Sequence, residues 1–257
     1  MKKFFAVLWF VAAVATGYAQ AYKDGEFLKF RIHYFFVNAG YATLRLDSLH
    51  MNGRPVYHAV GLGRSSSLSA LVMRVNDRYE SYFDLQNRPL RFIRNIEEGT
   101  YRKNVEFIFH HDRHTLQVID KLRNKVKTFK VPADVQDMVS VYYAMRNVDT
   151  SKLKAGDFIE QNIFFDDELY PFRMKILGRE VIKTKFGYIK ALILRPYVVA
   201  DRVFKEEESL TIWVSDDENK IPLLIEAKLL VGSIKASLVK YKNLKYPIRF
   251  SKTPALD

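Results

Sequence analysis

The sequence predicts a mainly β protein with one large antiparallel sheet, arranged as a sandwich, a barrel or a half-barrel. Three observations predict it. Polar and apolar residues alternate in many short segments, compact turn motifs separate those segments, and one segment alone has helical spacing. We expect that helix, at about residues 133–147, to pack on the sheet or to plug one end of it.

The strands are predicted from their two-residue period. In residues 27–36, Lys29, Arg31 and His33 alternate with apolar side chains, as expected for a strand with one buried face. Residues 41–47 have the same pattern. Similar strands are expected at residues 55–62, 77–84, 89–97, 101–110, 114–120 and 125–131, then at 158–166, 169–177, 179–186, 188–198, 208–215, 221–231 and 233–246.

Turn-forming residues separate these segments and keep them short. Asn52-Gly53 has the composition of a two-residue hairpin turn, and Pro89 ends a second polar turn. Many short strands joined by short turns are typical of antiparallel sheets.

The predicted helix follows Pro132. Asp134 suits the N-terminal end of the helix dipole, and Arg146 suits its C-terminal end. The apolar positions that recur at spacings of three and four are Val135, Met138, Val139, Tyr142 and Met145.

A repeated residue spacing favours two related halves, at about residues 25–110 and 156–246, joined by the segment that contains the helix. Two sets of Asp, Pro and Gly have identical spacing, Asp84, Pro89 and Gly99 in the first and Asp217, Pro222 and Gly232 in the second. We therefore expect residues 20–257 to form a single domain with a two-half pseudo-repeat.

The first 19 residues have the layout of a secretory signal peptide. Lys2 and Lys3 precede an apolar run that is too short to span a bilayer, and Ala19 is the expected cleavage position. We expect an exported protein, periplasmic or associated with the cell envelope. The chain has no cysteine, so it cannot carry a thioether-linked lipid and is not expected to be a lipoprotein.

The chain is strongly basic. Removing Lys2 and Lys3 with the signal leaves 39 basic and 29 acidic residues, a net charge of +10 instead of +12. No nucleic-acid motif accompanies this charge, and no further segment is long and apolar enough for a membrane span. An anionic envelope surface is the partner that the charge suggests. The residues expected to meet it alternate through a predicted hairpin: Lys121, Arg123, Lys125 and Lys127.

No catalytic constellation is recognisable. The serine elbow, the Walker loop, the dinucleotide fingerprint and the zinc-protease helix are all missing from the sequence, and the polar turn at residues 110–114 lacks a fourth metal ligand. We therefore assign no catalytic residue, no metal and no cofactor, and we leave open whether the protein is an enzyme.

Aromatic residues on the strands are the candidates for a binding surface. We expect Phe30 and Trp213 to line the concave face of the sheet, and Asp77 and Arg94 to form a polar pair near it. The sequence does not decide between an apolar cavity and a filled core.

A set of motifs extends over nearly the whole mature chain. It includes residues 75–81, the pattern Asp137-x-x-Ser140-x-x-Tyr143-x-x-Arg146, and residues 210–217 followed by Pro222 and Gly232. The set resembles the DUF3108 family of exported bacterial proteins of unknown function, which implies a mostly antiparallel β domain and supplies no catalytic residues. Trp213, Asp217 and Pro222 carry a more distant likeness to periplasmic lipoprotein carriers of the LolA/LolB type, which are half-barrels that hold acyl chains.

The predicted function is binding or carriage of a hydrophobic or amphiphilic component of the cell envelope, with a lipid as the expected ligand. The alternative is a non-catalytic structural or interaction module of an envelope assembly. A hydrolase is the third reading, and it would require histidine and carboxylate groups to converge in a pocket.

Overall fold

The computed structural model describes residues 20–198 and 210–254. The predicted signal peptide lies outside the described residues, so its cleavage stays a prediction. Within the described part, no helix has the length and apolar character needed to cross a membrane.

All the strands belong to one antiparallel sheet. In the first half of the chain they are β1 (Glu26–Tyr34), β2 (Val37–Met51), β3 (Arg54–Ser65), β4 (Asn76–Asp84), β5 (Pro89–Glu98), β6 (Tyr101–His110), β7 (Thr115–Asp120) and β8 (Lys125–Lys130). In the second half they are β9 (Phe158–Phe165), β10 (Glu168–Thr184), β11 (Gly187–Val198), β12 (Leu210–Ser215), β13 (Pro222–Lys228) and β14 (Ser233–Lys242). The predicted fold class is confirmed, as a 14-stranded sheet.

The order across the sheet is β8-β7-β6-β5-β4-β3-β2-β1-β14-β13-β12-β11-β10-β9. Each half is therefore a meander, and the β1–β14 pair joins the two. The strands β9 to β14 follow one another in the same order as β1 to β6. A glycine and an acid stand where the first strand of each half begins, Gly25-Glu26 at β1 and Gly156-Asp157 just before β9. Among residues 158–198 and 210–254, the hairpin β7–β8 has no counterpart.

Strands β8 and β9 are the two edges, and no strand ladder joins them within the described residues. They nevertheless come close. The rings of Phe129 and Phe164 lie 5.0 Å apart, and Lys127 forms an ion pair with Asp167 in the β9–β10 turn. The sheet therefore curls into a nearly closed shape with a concave, apolar inner face.

Strand β10 differs from its prediction as two separate strands. It is continuous from Glu168 to Thr184, with a bulge between Ile176 and Gly178. Gly178 has a φ of 147°, which side-chain-bearing residues rarely adopt. Gly178, which lies between the two predicted strands, therefore bends one long strand.

Helix α1 (Ser140–Arg146) is shorter than the predicted helix. The carboxylate of Asp137 accepts hydrogen bonds from the backbone N–H groups of Val139 and Ser140, at 2.7 and 2.8 Å, so the helix begins there. Before it, the backbone N–H of Gln136 donates to Asn162 O at 2.7 Å, which ties the segment to β9 as a bridge. The predicted helix thus included Gln136, although its backbone hydrogen-bonds to β9.

Candidate functional site

An apolar cavity of about 220 Å³ lies between helix α1 and the second half of the sheet. Its helix side is formed by Met138, Val141, Tyr142 and Met145. Its sheet side includes Phe172, Leu192, Leu194, Ile212, Val214 and Ile225. This is the candidate functional site of the protein.

Strand register places the sheet side chains together. Leu192 pairs with Val214 and Leu194 pairs with Ile212 in the antiparallel β11–β12 ladder. Directly opposed residues share a face, and residues two apart on one strand share it too, so these four form a single apolar surface.

The space remains open because the helix is small. A seven-residue helix is about 10 Å long. The six strands β9 to β14 span about 24 Å at ordinary strand spacing. One short helix cannot cover that width, so part of the inner face has no partner.

A buried ion pair anchors the helix beside the cavity. Arg146 donates to both carboxylate oxygens of Glu26, at 2.5 and 2.8 Å. It also donates to the carbonyl oxygens of Asn219 and Ala21 and to the Tyr142 hydroxyl. All five guanidinium N–H groups therefore have an acceptor, which offsets the cost of burying the charge.

Lys220 is the second cation at the cavity, in the β12–β13 turn. Burial lowers the pKa of Lys220, and the carboxylates of Asp149 and Asp217 act in the opposite direction. Its backbone has a φ of 48°, and its N–H donates to Asp217 Oδ1 at 3.1 Å. The turn thus holds a half-buried ammonium group at the boundary of an apolar space.

The two aromatic residues predicted to line the concave face do not line this cavity. Phe30 is buried in another apolar cluster, and Trp213 packs against that cluster. Ile212 and Val214 face the cavity, so the alternation of the strand turns Trp213 away, and its indole N–H donates to Glu180.

Asp77 and Arg94 lie on the neighbouring strands β4 and β5 but bond to other groups. Asp77 Oδ1 accepts the backbone N–H of Glu97 at 3.1 Å, and Arg94 donates to Asp166 Oδ1 at 2.9 Å. The Arg94 guanidinium also lies 4.7 Å from the Phe165 ring centroid. Arg94 therefore joins β5 to the β9–β10 turn and does not bond to Asp77 on the adjacent strand β4.

The four basic residues of the predicted anionic contact lie on the β7–β8 hairpin, and three of them have acidic partners. Lys121 pairs with Glu106 at 2.7 Å, Arg123 with Asp120 at 3.0 Å, and Lys127 with Asp167. For Lys125, no ion pair is found among residues 20–198 and 210–254.

Sequence reasoning missed the cavity because its sheet side depends on register between strands. The sequence placed Ile212 and Val214 in an apolar strand without indicating which neighbours they meet, and it gave no prediction for Lys220. The helix side had a signal, since Met138, Tyr142 and Met145 belong to the predicted apolar stripe.

The histidine-rich turn holds no metal cluster. His111 Nε2 contacts Pro89 O at 2.6 Å and His110 Nδ1 contacts Arg113 at 3.1 Å. In the described ranges, no group of three or more histidine, cysteine, aspartate or glutamate side chains could hold a metal ion.

Comparison with protein families gives one match. The DUF3108 model, described as a protein of unknown function, matches residues 29–239. A search of curated proteins finds no match.

The solved structures similar to the chain include the following two. A β-barrel-like protein of the DUF1849 family from Brucella abortus has a TM-score of 0.58 at 9% identity, and the match covers 88% of this chain and all of that one. A Bacteroides fragilis protein with a YmcC-like fold has a TM-score of 0.35 at 8% identity, covering 87% of this chain and all of that one. The first likeness supports a β-barrel-like fold, and the second is too weak to carry an argument.

Proposed function

Because this chain belongs to the DUF3108 family, whose function is unknown, we propose a function from its own geometry: it binds the apolar chain of an envelope amphiphile in the cavity between α1 and the sheet. The single observation that carries this proposal is the apolar cavity itself, lined by residues in and beside the helix on one side and by residues of the five strands β9 to β13 on the other.

The cavity volume decides what it can hold. A dry apolar cavity of about 150 Å³ accepts benzene, whereas pockets for drug-sized ligands start at about 300 Å³. The space of about 220 Å³ therefore suits a short stretch of acyl chain and not a whole lipid. The rest of the amphiphile would stay outside, or the helix would move to admit it.

Lys220 gives the site its proposed polarity. An ammonium group at the edge of an apolar space favours an anionic group at that end of the ligand, because the pair is only partly screened there. A carboxylate or a phosphate would both suit it. We propose that the ligand is an anionic amphiphile, met in the periplasm or at the envelope after export.

The test uses dodecanoate, an anionic amphiphile with an unlabelled acyl chain, and isothermal titration calorimetry. We expect saturable binding of dodecanoate to the wild type. Ile212→Phe fills the cavity and should weaken binding about tenfold or more, because the added ring occupies the ligand's space.

Ile193→Phe is the matched control. Ile193 is half-buried like Ile212, lies on the adjacent strand and pairs with Trp213, so it faces away from the cavity. It should bind like the wild type. Equal binding by the two variants would refute the site, and absence of binding in the wild type would favour the alternative, a non-catalytic interaction module.

A further inference from the structure

Four neighbouring connections meet at one end of the sheet. Because adjacent strands are antiparallel, the β1–β2, β3–β4 and β5–β6 connections lie at the same end, and the pairing of Tyr34 with Ile234 puts the β13–β14 hairpin there too. We call this the tip end of the sheet.

Hydrogen bonds hold these connections side by side. Tyr34 Oη donates to Val231 O at 2.9 Å, which joins the β1–β2 and β13–β14 tips. Ser66 Oγ donates to Asn38 O at 2.7 Å, which joins the β3–β4 connection to the same tip. Gly99 N donates to Arg74 O at 2.8 Å and adds the β5–β6 turn. The tip end is therefore one continuous surface.

This surface presents large apolar side chains to solvent. Phe36 and Leu230 are 101% and 105% exposed, and Val72 is 93% exposed. Leu71, Val231 and Phe35 are exposed beside them. Such a concentration on three adjacent tips marks an interaction surface, since turns normally carry polar residues and glycine.

Backbone conformation adds an independent observation. Phe35 has a φ of 47°, a left-handed conformation that costs free energy for a bulky aromatic residue. Glycine or asparagine would adopt it at lower cost. The Phe35 ring packs edge-on against the Tyr34 ring, with centroids 4.7 Å apart, and beside Gly232 of the β13–β14 tip, yet 56% of it stays exposed. The strained backbone thus holds an aromatic ring at the solvent-facing junction of two tips.

Basic residues surround the apolar tips. Arg64, Arg74, Arg102 and Lys228 are exposed on the same connections or strand ends, and in the described part of the chain none of them forms an ion pair. Most acids at this end have partners: Glu226 pairs with Lys235 at 3.3 Å, Glu97 accepts from Asn76 at 3.1 Å, and Asp166 and Asp167 pair with Lys103 and Lys127. Glu98 also lies at this end, where β5 finishes. The four basic residues outnumber it, so the rim has an excess of positive charge, in line with the net charge of +10 expected without the signal.

We propose that the tip end docks onto the surface of an anionic lipid bilayer, with its apolar tips inserted among the acyl chains and its basic rim against the headgroups. Protruding tips with fully exposed side chains fit a deformable interface better than the flat or concave surface of a protein partner. The β7–β8 hairpin is at the same end and adds Lys125 to the contact.

The absence of cysteine from the sequence allows a direct measurement. Phe36→Cys and Leu230→Cys are each labelled with a nitrobenzoxadiazole dye and mixed with vesicles of phosphatidylcholine, with or without phosphatidylglycerol. We expect a blue shift and a gain of emission with the anionic vesicles. Leu85→Cys is the control, because Leu85 is an exposed apolar residue in the β4–β5 turn at the opposite end.

Flotation with the same vesicles tests the two parts of the contact. Phe36→Ser combined with Leu230→Ser should weaken binding about tenfold or more, because two apolar anchors are lost. Arg64→Gln with Arg74→Gln should weaken binding to anionic vesicles about fivefold per charge and leave the neutral vesicles unaffected. Leu85→Ser should behave like the wild type.

This inference would be overturned if the emission of the label at position 36 did not change with vesicles, or changed no more than that of the label at position 85. Capture of a protein by the tip end without vesicle binding would overturn it too. These residues do not line the cavity, so failure here leaves the proposed ligand site untouched, and failure of the ligand site leaves this contact untouched.

Discussion

Asp137 is a fully buried carboxyl group at the start of the helix, and its hydrogen bonds join the helix to β4. It accepts the hydroxyl of Ser81 at 2.6 Å, from β4, in addition to the two backbone N–H groups that open the helix. Burial raises the pKa of Asp137 from 3.8 to about 6, although these hydrogen bonds act to lower it. Compared with the unfolded chain, the folded protein therefore binds the proton of Asp137 more tightly.

This pKa predicts a pH dependence of stability. The folded pKa lies above the unfolded value, so the contribution of Asp137 is fully favourable below about pH 4 and is lost as pH rises to about 6. The loss amounts to about 3 kcal/mol. Asp137→Asn keeps an acceptor for the helix and removes the charge.

The measurement is urea unfolding of the wild type and Asp137→Asn at several pH values. As pH rises through this window, the free energy of unfolding should fall in the wild type relative to the variant, because only the wild type ionises a buried group here. Other titrating groups are common to both proteins and cancel in the difference. Parallel curves for the two proteins would contradict the prediction.

At the scale of elements, the β2–β3 pair depends on a glycine for its close approach. A Cβ atom added to Gly40 would lie 2.2 Å from the carbonyl oxygen of Arg64, so the two strands could not keep their present separation. Gly63 is on the facing strand, and a Cβ atom there would lie 3.8 Å from the nearest side-chain atom, which is ordinary contact.

We therefore predict opposite outcomes for two alanine substitutions. Gly40→Ala should lower the free energy of unfolding by about 1–3 kcal/mol, because strands packed this tightly must shift. Gly63→Ala should be neutral or slightly stabilising, since it reduces the freedom of the unfolded chain. Thermal unfolding of both variants checks this, and equal melting temperatures would contradict it.

At the scale of the whole molecule, ion pairs hold the two edges of the sheet near each other. Asp166 accepts from Arg94 and pairs with Lys103, and Asp167 pairs with Lys127. Because these side chains are partly exposed, each pair contributes at most about 1 kcal/mol. Their main effect should be on how often the edges separate.

Replacing both aspartates with asparagine tests this role. Asn tolerates the left-handed backbone at positions 166 and 167, so the turn should keep its shape. We expect faster amide hydrogen exchange in β8 and β9 and little change in the global free energy of unfolding. Asp112→Asn, an exposed carboxylate at the opposite end, should leave both edges unchanged.

The sequence predicted the parts of the fold that depend on local period. The alternation around Lys29 and Arg31 corresponds to β1, and the turn residues at 52–53 separate β2 from β3. The predicted helix was too long because the residues around Gln136 have helical spacing in the sequence, whereas Gln136 itself forms a β-bridge with Ile163. Register between strands has no local signal, and for that reason the cavity side chains Ile212 and Val214 were not identified.

The pairing of β1 with β14 also constrains how the chain acquires its structure during synthesis. The first strand finds one of its two neighbours in the last strand, more than 200 residues later. Until β14 emerges, the β1 edge, with its N–H and C=O groups unpaired, is open to other chains. Such a protein needs protection while it is still incomplete, and its slowest folding step should be this late closure between distant segments.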